Sequence, residues 1–273
     1  MAEKRVLGVR VDSVGPTEAV DQIIAWGKSS GKCRMVSTAY SEFFVTAMSD
    51  VDFRMALESS DLVTPDGIGP LAAIYFESIV RSSDSAVVKF FKGLQTGLAI
   101  LTGRVGQPVS GYWLFKTLVE KAVNENLSVF LLGGFGETAE RLAEELRIKY
   151  RELRIMAGAG AQSEAEMTGE ANERVTEKIN KFKPDLLFVA YGPVKQEKWL
   201  KANRNDLKAR VAVGVGGTFD EALGLVKEAP VAFSKYGLKW LWRLLQQPRR
   251  LPRIFKATFV FAWLVFVNSL KKK

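Results

Sequence analysis

Short apolar runs that stop at a glycine or a small polar residue alternate along this chain with stretches of about 12 to 20 residues of helical period, and that alternation leaves little room outside a parallel α/β sheet. The runs are Arg34–Ser37, Leu62–Thr64, Ser128–Leu132, Arg154–Ala157, Asp185–Ala190 and Val211–Val215. Apart from polar residues at their ends they are apolar, as strands covered on both faces must be. Ser41–Glu58, Gly111–Asn126, Glu137–Arg151 and Glu164–Phe182 read as amphipathic helices. The expected fold is therefore α/β, a Rossmann-like, mostly parallel sheet flanked by helices. In such sheets ligands bind outside the carboxyl ends of the strands. Those ends carry Thr38, Asp66, Gly133-Gly134, Gly192 and Gly216-Gly217-Thr218. Residues 80–110 are the least regular stretch: a Ser/Asp cluster, an apolar segment interrupted by Lys89 and Lys92, then Gly103, Gly106 and Pro108. A mobile flap and a second membrane-contacting patch both fit it.

What chemistry such a crevice can do is narrowed by one absence, since none of the 273 residues is histidine. Ser-His-Asp and Cys-His nucleophile systems, a His-ligated metal and a His general base are all excluded. Proton transfer falls to carboxylates, Lys, Tyr or Cys. The single cysteine, Cys33, can form no internal disulfide, and Met1–Arg5 lacks the apolar core of a signal peptide, so a cytoplasmic address is expected.

The net charge of +9 is concentrated at one end. Residues 229–273 hold ten Lys/Arg and no Asp or Glu, whereas 1–228 hold 29 basic and 30 acidic residues. The same tail contains nine of the 29 aromatics, among them Trp240, Trp242 and Trp263. Basic and aromatic residues together suit an anionic membrane surface. Nucleic acid is disfavoured because Ile254–Leu270 is apolar nearly all round with one Lys. Its longest uncharged run, Ala257–Leu270, has 14 residues, short of the roughly 20 that span a bilayer. An interfacial helix is expected, with a core helix as the alternative. The chain thus divides into an α/β domain, 1–228, and a basic, aromatic-rich helical membrane-binding appendage, 229–273.

Four segments at strand ends carry the candidate chemistry. Gly133, Gly134 and Gly136 join a strand to a helix, where backbone N–H groups can approach a diphosphate; a plain tight turn has the same composition. Asp66, in Thr64-Pro65-Asp66-Gly67-Ile68-Gly69, is the best-placed candidate general base, and an N-cap for a helix starting near Ile68 is the competing role. Pro193 pre-sets a helical turn after Gly192 and places Gln196 toward the crevice. In Gly214–Asp220, Gly216 and Gly217 permit close backbone approach, while Thr218 and Asp220 cap a helix or contact a ligand. Asp50-Val51-Asp52 formally matches an acidic cation-binding pair but falls on a helical surface stretch, so no metal site is expected.

In this order and spacing, the segments resemble the WecG/TagA/CpsF glycosyltransferases (glycosyltransferase family 26), over roughly residues 5–253. Pro65-Asp66-Gly67-Ile68-Gly69 is similar to the family's P-D-G-I-G. Pro184-Asp185-Leu186-Leu187-Phe188-Val189, with Gly192-Pro193 and Gln196-Glu197-Lys198-Trp199, is similar to its P-D-x-L-x-V…G-x-P-x-Q-E-x-W. Gly214–Asp220, Leu238–Leu244 and Pro248-Arg249-Arg250 resemble its remaining signatures. The resemblance implies inverting, metal-independent transfer of a sugar, N-acetylmannosamine, its uronic acid or a related hexose, from a UDP-sugar to a polyprenyl-diphosphate-linked acceptor. It places the enzyme at the cytoplasmic face of the cell membrane, peripheral or monotopic. It implies that Asp66 is the base, that Thr38, Tyr40 and Gln196 approach sugar and acceptor, and that Arg243, Arg249, Arg250 and Arg253 meet the diphosphate or lipid headgroup. The Gly133, Gly192 and Gly216 loops would hold the nucleotide, with no cofactor beyond the donor. A homo-oligomeric state is not legible in the sequence.

The sequence departs from the family at named points. Tyr40 stands where T-x-N has its Asn, exchanging an amide for a larger ring. Glu228-Ala229-Pro230 replaces Arg-Ala-Pro, Leu238-Lys239-Trp240 replaces L-E-W, and Gly111-Tyr112-Trp113 replaces G-x-D without the acid. Residues 80–110 are longer than the family's stretch. A catalytically weakened relative that binds nucleotide sugar or membrane as a partner or scaffold is therefore the alternative. A nicotinamide-dependent oxidoreductase is disfavoured, since no acid ends a second strand about 20 residues beyond the glycine loop.

Overall fold

The computed structural model describes residues 2–160, 165–226, 230, 233, 239–246 and 248–271. Six parallel strands form one sheet in the order β4-β3-β8-β7-β5-β6: β3 (Arg34–Ala39), β4 (Leu62–Pro65), β5 (Val129–Gly133), β6 (Ile155–Gly158), β7 (Leu186–Ala190) and β8 (Val211–Gly214). All six expected strands are present, within two residues at either end.

Alternation along the central strands sorts side chains into two cores. On β5 and β7, Val129, Leu131, Leu186 and Phe188 join the cluster beneath α1 (Pro16–Lys28), α6 (Gly111–Asn124) and α7 (Thr138–Lys149). Their neighbours Phe130, Leu132, Leu187 and Val189 join the cluster beneath α8 (Gly169–Phe182) and α9 (Lys195–Asn203). A side-chain period of two with helices on both faces makes both sides of each strand apolar, which is why these strands are unbroken hydrophobic runs. A third cluster, around the β3–β4 edge, packs α2 (Ser41–Ala47), α3 (Val51–Glu58) and α4 (Ile68–Ile79) against Phe261 and Val265 of the C-terminal helix, Leu251–Lys271.

Three elements differ from the sequence expectation. Ser41–Glu58 is two helices, because Asp50 is extended and its side chain caps α3 by accepting from the Phe53 N–H at 2.9 Å. The same carboxylate pairs with Lys198 at 2.7 Å, so Asp50 has a structural role. An antiparallel hairpin, β1 (Ala2–Val6) and β2 (Val9–Ser13), precedes the sheet and turns through Leu7 and Gly8, both at positive φ. The irregular stretch contains a regular helix, α5 (Ala86–Leu101), whose polarity is inverted. Lys89 is buried and its Nζ donates to the Ser269 carbonyl at 2.8 Å, while Phe90, Phe91, Leu94, Leu98 and Leu101 face outward. A lysine inside and phenylalanines outside defeat any reading that assigns the apolar face to the core.

The C-terminal helix is continuous over 21 residues, with a π-helical turn at Lys256–Val260, and is long and apolar enough by length and composition to cross a membrane. One face is core, through Phe261, Val265 and Ser269; the other exposes Phe255, Phe259 and Trp263. The core reading describes the first of these faces.

Candidate active site

Asp66 leaves the sheet at the end of β4, where its N–H donates to the Ala39 carbonyl of β3 at 2.9 Å. Gly67, at φ 81°, is the N-cap of α4 and makes no side-chain cap. The Asp66 carboxylate instead turns to α6, where Oδ2 accepts from the Gly111 N–H at 3.2 Å. The partial positive charge at that helix start faces the carboxylate. Gly111 marks a convergence of three elements: a Cβ built there would lie 3.4 Å from Asp66 Oδ2, 3.5 Å from Thr38 Oγ1 and 3.7 Å from Thr218 Oγ1. Thr38 donates to the Gly214 carbonyl at 3.0 Å and Thr218 to the Val215 carbonyl at 2.7 Å, so both hydroxyls are locked in place by β8 and the turn that follows it.

Gln196 belongs to the scaffold of this crevice. It is buried; Oε1 accepts from the Gly216 N–H at 2.8 Å and Nε2 donates to Glu197 Oε1 at 2.7 Å. The side chain holds the Gly216-Gly217 turn at the mouth of β8. Glu197, which sequence reasoning left without a role, is fully buried, and its Oε2 accepts from the Val194 N–H at 2.9 Å. Burial pushes this carboxyl up to about 7, against three hydrogen bonds, from the Gln196 side chain and the Glu197 and Val194 N–H groups, that favour its charged form. Asp220 is half-buried on the short helix that starts at Thr218.

The chain leaves β5 toward β6 but leaves the adjacent β7 in the opposite direction, toward β8, so a crevice forms outside the carboxyl ends of β5 and β7. Gly133-Gly134 and Gly192 lie there. Gly133 and Gly134 have φ of 95° and 84°, and a Cβ would meet Tyr191 Cδ1 at 2.9 Å from the first and Thr138 Cβ at 2.8 Å from the second. Conformation and space thus both require glycine at these two positions. The Gly134 N–H donates to the Ala190 carbonyl at 3.0 Å, which ties the loop to β7. Gly136 follows at the start of α7, beside the exposed Phe135.

Tyr40 is joined to the tail. Its hydroxyl donates to Glu42 Oε2 at 3.0 Å and accepts from Arg253 at 2.7 Å, while Arg253 also pairs with Glu42 at 3.0 Å. Burial pushes the Tyr40 phenol above its ordinary range. Tyr40 and Asp66 line one cavity of about 390 Å³. Its walls are α4 through Gly69, Ala72 and Phe76, α5 through Gly93, Thr96 and Ile100, and the C-terminal helix through Thr258, Phe261 and Ala262, with Trp240 at one side. Arg253 is thereby brought to the cavity rim. Arg249 is exposed in the turn Pro248–Arg250, and among the described residues no side-chain hydrogen bond ties it to this rim; the side chains of Arg243 and Arg250 lie outside the described residues, as do Glu228, Ala229 and Leu238. Sequence spacing carried no signal for Glu42, whose partner lies 211 residues away, or for the contribution of α5.

The family model of the "Glycosyl transferase WecG/TagA/CpsF family" matches residues 4–83 and 75–273, nearly the whole chain. The chain belongs to this family. Two relatives named N-acetylglucosaminyldiphosphoundecaprenol N-acetyl-beta-D-mannosaminyltransferase are similar to it. That of Bacillus spizizenii is 27% identical over 227 residues, 82% of this chain and 75% of the relative. That of Bacillus subtilis is 28% identical over 222 residues, 81% and 74% respectively. A Staphylococcus aureus protein of the same name is 30% identical over 163 residues, 58% of this chain and 62% of its own. The chain is a glycosyltransferase, and the two matched segments join at 75–83, where α4 gives way to α5.

Proposed function

We propose that this glycosyltransferase moves an N-acetylmannosaminyl unit, its uronic acid or a related hexose from UDP to a sugar on a polyprenyl diphosphate, with inversion, at the cytoplasmic face of the membrane. The position of Asp66 carries this reading: one carboxylate borders both the polar crevice at the strand ends and the apolar cavity under the C-terminal helix. A reaction between a nucleotide sugar and a lipid-linked sugar needs such a junction. The names of the similar enzymes, which carry an undecaprenol-linked substrate and a mannosaminyl product, support the same class of reaction.

In a single displacement, the acceptor hydroxyl oxygen bonds to the anomeric carbon as the bond from that carbon to the diphosphate oxygen breaks. The electron pair leaves with UDP, and the acceptor proton passes to the Asp66 carboxylate. The glycine turns at Gly133-Gly134, Gly192 and Gly216-Gly217 are the nucleotide side of the crevice, and Thr38 and Thr218 flank the reacting centre. Charge on departing UDP is offset by arginines, for which Arg253 at the cavity rim is the best-placed described residue. The basic tail and the outward aromatics of the C-terminal helix hold the enzyme to anionic headgroups.

The deciding experiment offers a panel of radiolabelled UDP-sugars to a membrane lipid extract. Label enters the lipid phase from at least one donor with the parent enzyme and not with Asp66→Asn; transfer from none, or undiminished transfer by Asp66→Asn, overturns the reading. The second reading, a weakened relative that binds without transferring, draws on Tyr40, whose hydroxyl is committed to Glu42 and Arg253 where the family's T-x-N has an amide. UDP-induced thermal stabilisation with no transfer from any donor would favour it.

A further inference from the structure

We infer that the cavity walled by α4, α5 and the C-terminal helix is the binding site for the first isoprene units of the lipid-linked acceptor, with α5 as its outer wall. The inference rests on the proposed function for the identity of the chain's polar end.

The volume, about 390 Å³, lies within the roughly 300–1,000 Å³ of ligand pockets. Its lining is mostly apolar; the Thr96 and Thr258 hydroxyls are spent on the Lys92 and Ile254 carbonyls of their own helices, and the other polar side chains, Tyr40, Ser41 and Asp66, stand together past the ends of β3 and β4. An occupant with an apolar body and a reactive polar end is therefore oriented by the site. A free sugar nucleotide leaves the apolar walls unused, and a plain hydrocarbon leaves the polar end unused.

The space is maintained by small residues. Gly93 lies in the interior of α5, where glycine costs about 1 kcal/mol relative to alanine, yet a Cβ there would meet nothing within 4 Å. A Cβ at Gly97, one turn on, is equally unopposed, but of the two only Gly93 lines the cavity, where its missing side chain leaves the space open. Thr96 and Ile100 continue the same face of α5 at helical spacing. The opposite face presents Phe90, Phe91, Leu94 and Leu98 outward, and the C-terminal helix, which packs on α5, exposes Phe259 and Trp263. An isoprenoid chain leaving the cavity over these residues remains on apolar surface until it enters the bilayer. The buried bond from Lys89 Nζ to the Ser269 carbonyl pins α5 to the C-terminal helix and closes that side of the wall.

The test compares the parent enzyme with Gly93→Phe, which fills the cavity, and Gly93→Ala, which does not. Thermal shift with farnesyl diphosphate, with pyrophosphate and with a lysophospholipid reads binding without any sugar transfer. Farnesyl diphosphate should stabilise the parent and the Ala variant, pyrophosphate should do so much less, and the Phe variant should lose the difference. In parallel, kcat/KM for a farnesyl-diphosphate-linked sugar should exceed that for a butyl-diphosphate-linked one by at least about tenfold, mainly through KM, and Gly93→Phe should erase the advantage. Equal stabilisation by farnesyl diphosphate and pyrophosphate overturns the inference, as does equal stabilisation by the lysophospholipid, or a chain-length preference that survives Gly93→Phe. UDP-induced stabilisation checks that the Phe variant is folded; should it be lost, Thr96→Leu, which narrows the same space, takes its place. If farnesyl diphosphate binds in a Gly93-dependent way but no sugar is transferred to either acceptor, the proposed function fails while the cavity assignment stands.

Discussion

Asp66 and Gly111, forty-five residues apart, meet through a hydrogen bond of 3.2 Å from the Gly111 N–H to Oδ2 of the carboxylate. The bond settles how the side chain is held: Asp66 serves the start of α6 across the crevice, while Gly67 begins α4. The scaffold thus fixes one carboxylate oxygen at Gly111, around which the Thr38 and Thr218 hydroxyls also converge.

Asp66→Asn should lower turnover by roughly 10²-fold or more, the scale of a lost general base. The amide oxygen can still accept from Gly111, so melting temperature and UDP-induced stabilisation should stay close to those of the parent. Turnover within a few-fold of the parent removes Asp66 from the base role. Unfolding would show that the carboxylate serves the α6 start alone.

Transfer should continue after exhaustive chelation. Among the described residues no group of three or more His, Cys, Asp or Glu side chains is arranged to hold an ion. A loss of turnover that magnesium or manganese restores would mean that a carboxylate site operates once substrate is bound.

Membrane attachment is best tested on the outward face of the C-terminal helix, since deleting the helix would also strip Phe261 and Val265 from the core. Replacing Phe255, Phe259 and Trp263 together by Ser should leave the melting temperature nearly unchanged and abolish flotation with anionic vesicles. Salt should partly release the parent, because screening within about 8 Å at physiological ionic strength removes the headgroup attraction and leaves the apolar one. Undiminished flotation of the triple variant would move the contact to α5.

Glu197 should impose a pH dependence on stability. Its carboxyl titrates near 7 in the folded chain, against an ordinary value of 4.5, because burial disfavours the charge. Below about 4.5 both folded and unfolded states hold the proton and the group contributes no difference. As pH rises to about 7 the unfolded chain ionises first, so stability falls, by about 3 kcal/mol once both states are ionised. Urea titrations at pH 5 and pH 8 should show that loss in the parent and a much smaller one in Glu197→Gln. Parallel pH profiles for the two proteins would show that the carboxyl ionises without penalty.

Cys33 is buried, and burial pushes its thiol up to about 12. At pH 8 the native protein should react with Ellman's reagent only over hours, and at once in guanidinium. Rapid stoichiometric labelling of the native chain would mean that the β3 edge opens readily.

The sheet was legible in the sequence because each of its strands is buried on both faces, and a strand so placed must be a continuous apolar run. Which residues stand at the carboxyl ends, Thr38, Asp66, Gly133 and Gly216 among them, followed from the same runs. The basic, aromatic tail was equally plain, since charge and hydropathy are sums over composition. What only the tertiary structure decided are relationships between distant segments. The sequence allowed Asp66 to cap its own helix, and the packing of α6 against the strand ends gave its carboxylate to Gly111 instead. Gln196 faces the crevice in sequence, yet the close approach of α9 to Gly214 buries it as a brace for Gly216. Arg253 reaches Tyr40 only because Phe261 and Val265 dock the C-terminal helix on α2 and α4, and α5 escaped recognition because its apolar face points outward while its lysine points in. Periodicity reports how wide an apolar face is; which surface that face meets depends on the rest of the fold.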